Sequence, residues 1–163
     1  MKASVSDQRS ILDIQRFDLQ SATLRNKAAN LPEIAEINST TIKHNNVRDL
    51  RIAAETELSD VKRELARAEG DVEQIVTRIE RDEKRLASGT GTPKELEQTQ
   101  HELGTLAARR AELEEVELEI MMRVDGIKDR IATLTQEENE LALVIADLNV
   151  RKENALAAIH TEL

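Results

Sequence analysis

Apolar residues recur every seven positions through most of this chain. In the first half, Val47, Ala54, Val61, Ala68 and Ile75 form one row, and Leu58, Leu65, Val72, Ile79 and Leu86 form a second. In the second half, Leu106, Leu113, Ile120, Ile127, Leu134, Leu141 and Leu148 hold a row without interruption. A 3.5-residue repeat keeps one stripe of a helix turned toward a partner, so such rows predict left-handed coiled-coil seams. No stretch alternates with the period of two that a half-buried strand requires. The pattern predicts an all-α chain.

Sparse punctuation divides it. Asn30-Leu31-Pro32-Glu33 reads as a helix stop and restart, with Asn30 as N-cap, Pro32 in the first turn and Glu33 reaching back. Ser88-Gly89-Thr90-Gly91-Thr92-Pro93 is the one place where two Gly and a Pro stand together, and it predicts a turn. Thr92-Pro93-Lys94-Glu95 then forms a capping box with Pro at the first helical position. The expected layout is an N-terminal helix over 1–31, a first arm over 32–87, a turn at 88–93 and a second arm over 94–163.

In an antiparallel hairpin, opposed residues have position numbers with a constant sum. Ile79 with Leu103, Ile75 with Leu106, Val61 with Ile120, Ala54 with Ile127 and Val47 with Leu134 all sum to 181 or 182. The mirror point falls at Thr90 and Gly91, inside the predicted turn. The reading is therefore a long antiparallel coiled-coil hairpin with an additional N-terminal helical segment. At the helical rise, its first arm is roughly 80 Å long. The same arithmetic sets Leu163 opposite residue 18 or 19 and leaves residues 1–17 without a partner. Yet Ile14, Phe17, Leu24, Ala28 and Leu31 form a stripe of their own. Either the first helix folds back on the hairpin base or continues in line across a kink at Pro32, or the natural chain runs past Leu163. The closing residues Ala158-Ile159-His160-Thr161-Glu162-Leu163 carry no Gly or Pro stop signal, which favours a continuing chain.

Composition narrows the chemistry. Aromatic residues make up 1 %, charged residues 34 %, and there is no Cys, Trp or Tyr. A compact core built on aromatic fillers is excluded, as are disulfides, a thiolate nucleophile and a Cys-based zinc site within these residues. No export signal opens the chain and no run approaches a membrane span, so a cytoplasmic location without a membrane partner is expected. The net charge of -9 is uneven: residues 78–110 carry 7 basic and 6 acidic groups, whereas residues 111–163 carry 5 and 13.

The candidate binding surface is the turn end, where Arg78, Arg81, Lys84, Arg85 and Lys94 cluster with His101 nearby. It suits an acidic protein surface better than RNA, because no aromatic side chain stands there to stack on bases. The glycines of the turn do not make a phosphate loop, which needs G-x-x-x-x-G-K-[ST] after a strand. Two polar pairs mirror each other across the seam and are read as register-setting: His44 with Glu138, and Asp71 with Arg110. A pH-sensitive His44–Glu138 latch is the sharper alternative. Glu80–Lys84, Glu119–Arg123 and Asp147–Arg151 are spaced as helical ion pairs. Gly70, Gly104 and Gly126 read as tolerated defects or sites of close backbone approach. No nucleophile–base pair, metal cluster or pocket is visible, so neither an enzyme nor a cofactor is expected in this chain.

The stretch from Ser88-Gly89-Thr90-Gly91-Thr92-Pro93-Lys94-Glu95-Leu96 through Gln100-His101-Glu102-Leu103, Arg109-Arg110, Leu113-Glu114 and Glu117-Leu118-Glu119-Ile120-Met121 resembles the bacterial coiled-coil hairpin proteins that carry a C-terminal C4-type zinc ribbon. The opening Gln8-Arg9-Ser10-Ile11-Leu12-Asp13-Ile14 and the Leu31-Pro32-Glu33 break resemble actinobacterial members in particular. Thr99 stands where the family tends to have an apolar residue, Met122 where it tends to have an acidic one, and the paired CxxC motifs of the ribbon are absent. The resemblance implies a non-enzymatic adaptor or binding module, with zinc only where the ribbon is present. It also implies a protein partner, and nucleic acid for the full-length protein; a monomeric hairpin or weak dimer is expected of the chain itself. Some members are associated with an alternative sigma factor, a secretion-system ATPase or messenger RNA. An RNA-polymerase-associated hairpin regulator is the alternative, but it needs tip carboxylates to hold Mg²⁺; residues 88–92 have none and Glu95 is committed to its cap. A purely structural coiled-coil spacer is the third reading.

Overall fold

The computed structural model describes residues 5–162. Three helices account for nearly all of them: α1 (Val5–Ala29), α2 (Pro32–Ala87) and α3 (Pro93–Glu162). The two long helices form the hairpin that the heptad rows and the turn chemistry require. Its contacts group into two compact units, one made of residues up to 48 with those from 136 onward, the other of residues 49–135.

Within residues 49–135, α2 and α3 pack along the expected rows and along a second row of α3, with Val124 and Ile131, that the sequence reading did not name. Ala54, Val61, Ala68, Leu106, Val124 and Ile127 are buried. Val61, Val124 and Ile127 form a cluster covered by Leu58, Leu65, Ile120 and Ile131. Burying a side chain of Val or Ile size contributes about 1.5–3 kcal/mol. A two-helix seam shields each residue from few directions, and only Ala54 and Val61 fall to 2 % exposure or less. Arg123 donates to Glu64 at 2.9 Å and Arg130 to Glu57, both across the seam. Arg123 thus reaches the facing helix rather than Glu119 on its own. These pairs are half-exposed, so each adds at most about 1 kcal/mol, but they fit one alignment of the helices only.

In the other unit, Leu24, Leu31 and Ile159 form a buried cluster with Ala28 and Ala155 against it. Leu24 with Ile159 and Ala28 with Ala155 both sum to 183, so α1 keeps the antiparallel register along α3 and does not fold back. Val47 and Leu148 are buried as well. The break between α1 and α2 differs from expectation. The Asn30 side-chain amide donates to the carbonyl of Asn26 at 2.9 Å, closing α1, and the first backbone bond of α2 runs from Ile34 N–H to Leu31 C=O at 3.0 Å. Asn30 therefore serves as the end of one helix instead of the start of the next, and Glu33 Oε2 is buried with no hydrogen-bond partner. The pairing expected of Leu163 with residue 18 or 19 falls on Leu163, which lies outside the described residues.

Candidate partner-binding tip

The tip is built from the turn outward. The last turn of α2 closes with Ser88 N–H on Lys84 C=O at 3.0 Å and Gly89 N–H on Leu86 C=O at 3.1 Å. Gly89 and Gly91 take φ values of 61° and 139°, which a residue with a Cβ adopts only under strain. Ser88 Oγ donates to Arg85 C=O at 2.9 Å and meets Thr90 Oγ1 at 2.8 Å, so the turn is tied internally. The capping box then forms as its spacing predicts. Thr92 N–H donates to Glu95 Oε2 at 2.7 Å, and Glu95 N–H to Thr92 Oγ1 at 3.4 Å. The Thr92 amide, the Thr92 hydroxyl and the nearby Arg85 charge hold the Glu95 carboxyl below the usual carboxylate range.

The six candidate tip residues Arg78, Arg81, Lys84, Arg85, Lys94 and His101 are all exposed. They are not equally available. Arg78 leans toward Asp82 and Glu102, at 3.8 Å each, and Arg81 toward Asp82 at 3.4 Å. Lys84, Arg85 and Lys94 form no ion pair among the described residues. The cationic surface is therefore concentrated on the last turn of α2 and the first turn of α3, closer to the reversal than the sequence cluster suggests.

The proposed register pairs do not assemble. Asp71 is exposed, just outside the Val72 row, and Arg110 swings out to Glu114 at 2.6 Å. His44 and Glu138 are both half-buried, but His44 makes no hydrogen bond or ion pair among the described residues, so no latch is closed. The polar layer that the structure does bury was missed. Asp82 and Thr99 are 7 % and 8 % exposed, and their positions sum to 181, the value that Val61 and Ile120 share. Asp82 is supported by Arg78 and Arg81, while Thr99 Oγ1 donates to Glu95 C=O at 2.9 Å. Extending the rows one heptad would have found both, since Asp82 follows Ile75 by seven and Thr99 precedes Leu106 by seven.

A Cβ added at Gly70, Gly104 or Gly126 would meet nothing within 4 Å, so none marks a close approach. The zinc that the family resemblance implies has no fit here. The chain holds no Cys, and no three His, Cys, Asp or Glu among the described residues come together as a metal site. No described helix is long and apolar enough to cross a membrane.

Comparison with known proteins agrees with this geometry. Two uncharacterized proteins of Mycobacterium tuberculosis, from strains CDC 1551 / Oshkosh and ATCC 25618 / H37Rv, are each 34 % identical over 166 residues, covering 98 % of this chain. The chain spans 65 % of the length of each. A solved structure from Mycobacterium smegmatis has a TM-score of 0.83 at 28 % identity, over 99 % of this chain and 67 % of that one. Residues 14–163 match the CT398-like coiled coil hairpin domain. With its three helices, its turn and its seam in that arrangement, the chain belongs to the CT398-like coiled coil hairpin family.

Proposed function

We propose that this hairpin is a non-enzymatic adaptor whose tip docks on an acidic surface of a protein partner in the cytoplasm. The observation that supports it is that Lys84, Arg85 and Lys94, which form no ion pair among the described residues, flank a turn that is internally hydrogen-bonded and capped. A pre-ordered turn loses little conformational entropy on docking, and exposed cations steer an acidic partner toward it. The polymerase-regulator reading is disfavoured by Glu95, whose Oε2 already accepts from both the amide and the hydroxyl of Thr92. The longer relatives leave about a third of their length outside the match, room for a further module such as the zinc ribbon; nucleic-acid binding would belong to that part.

The test is a pull-down comparing the parent chain with a fourfold reversal, Arg81→Glu, Lys84→Glu, Arg85→Glu and Lys94→Glu. Loss of the co-purifying protein with helicity unchanged supports tip docking. Retention of the same protein by both chains overturns it, and a chain that retains nothing in either form favours the spacer reading.

A further inference from the structure

We propose that residues 143–157 of α3 pair with the same residues of a second copy, antiparallel about Val150, making this chain a weak two-fold dimer. Residues 141–150 carry a single charge, Asp147, and set apolar residues on every side of the helix. Leu141, Ile145 and Leu148 form the seam side, where Leu148 is buried and the other two are half-buried. Leu143, Ala146, Val150 and Ala157 lie on the opposite side, within about 60° of one another at about 100° per residue. All four are exposed, Leu143 to 73 % and Val150 to 56 %. Leu143, Val150 and Ala157 repeat every seven residues, as a seam does, in the outward position that Asp129 and Gln136 hold in the two preceding heptads. A helix that is apolar on all sides is suited to being covered on all sides.

A second copy covers this face with matching charge. Asp147 and Arg151 are spaced as a helical ion pair, yet neither forms an ion pair among the described residues. Both lie on one flank of the apolar face, about 40° and about 80° round the helix from Leu143. Two antiparallel helices related by a two-fold axis set each flank against its own copy. With positions summing to 300, Val150 meets the partner's Val150, and Leu143 meets the partner's Ala157, large against small. On the shared flank Asp147 comes within one helical turn of the partner's Arg151, and Arg151 of the partner's Asp147. Glu153 lies on the other flank, beside the partner's Ala146 and away from its Asp147. The paired segment is about four turns long, which places the contact among small, weak interfaces.

The test is sedimentation velocity and equilibrium across a hundredfold concentration range at physiological ionic strength, which screens repulsion between two acidic chains beyond about 8 Å. The parent is expected to shift from monomer to dimer with concentration. Val150→Asp should weaken association at least tenfold, with helicity retained because Val150 is exposed in the single chain. Asp147→Arg and Arg151→Asp should each weaken it severalfold, because each variant sets like charges against its own copy. An equimolar mixture of these two variants should associate as well as the parent, since one then presents two cations and the other two carboxylates. Charge pairing within a chain is the same before and after mixing, so rescue on mixing reads the contact between copies alone. A parent that stays monomeric throughout overturns the proposal and gives the face to a different occupant. A dimer indifferent to Val150→Asp, or a mixture no tighter than its separate variants, overturns it as well.

Discussion

Replacing Asp82 by Leu should stabilise the hairpin, although it removes two ion pairs. Asp82 occupies a seam position, with its side chain 10 % exposed, and a Leu there would add about 2 kcal/mol of apolar burial. The interactions lost are an Arg78 contact at 3.8 Å and an Arg81 contact at 3.4 Å. Both guanidinium groups are more than half exposed, so solvent limits each pair to well under about 1 kcal/mol. Net stabilisation of about 1 kcal/mol follows, which for a domain of this size is a rise of about 2–4 °C in Tm. Thr99→Leu should add to it, with coupling between the two because the register sets them across one layer. Thermal unfolding followed by circular dichroism at 222 nm reads the effect directly. A fall in Tm for Asp82→Leu, at unchanged helicity, would refute the reasoning and make the Arg78–Asp82–Arg81 cluster a net source of stability. The compensation for keeping the polar layer is specificity. A charged residue at one seam position disfavours sliding the helices by a heptad, which an unbroken apolar row permits.

Three further outcomes follow from the same geometry. Gly91→Ala should cost about 1–3 kcal/mol, because φ is 139° there and the new Cβ would sit 3.2 Å from Glu95 Oε2, whereas Gly89→Asn at φ 61° and in open space should cost less; urea unfolding separates them. Ala54→Leu should destabilise by about 1–3 kcal/mol, since Ala54 is fully buried and a larger side chain must spread the seam; a Tm equal to the parent's would show a slack interface. The lowered pKa of Glu95 sets a pH dependence: its stabilisation is present above the ordinary carboxylate pKa and is lost as pH falls through the lower folded value. The Tm gap between the parent and Glu95→Ala should therefore be open at neutral pH and close in acid; a constant gap would deny the charge a role.

How much of this was legible in the sequence depends on where the information sits. The turn was readable residue by residue. Two glycines at positive φ and a Thr–Pro–Lys–Glu cap are local chemistry that needs no tertiary context. The hairpin was readable because a seam has one period and a mirror point. The Asn30 break was misread because Asn serves either end of a helix, as side-chain acceptor at a start or donor at a stop, and only packing decides. The polar seam pairs were misplaced for a related reason. A constant sum marks residues at the same height, not residues on the same face, and Asp71 satisfies the first condition without the second. Asp82 and Thr99 satisfy both, and the seven-residue rows contain that distinction. Ion-pair choice at the tip was not legible, since Arg78 has carboxylates on both helices within reach.

The central claim is that this hairpin meets its partner at the tip through the cations beside the turn. Site-specific photo-crosslinking in cells tests it most directly, with the reactive residue at Thr90 in the turn or at the exposed Asp129 on the arm. The account predicts a discrete protein adduct from Thr90 that disappears in the fourfold Arg81, Lys84, Arg85 and Lys94 reversal, and none from Asp129. An adduct from Asp129 alone, or one from Thr90 that survives the reversal, would contradict it.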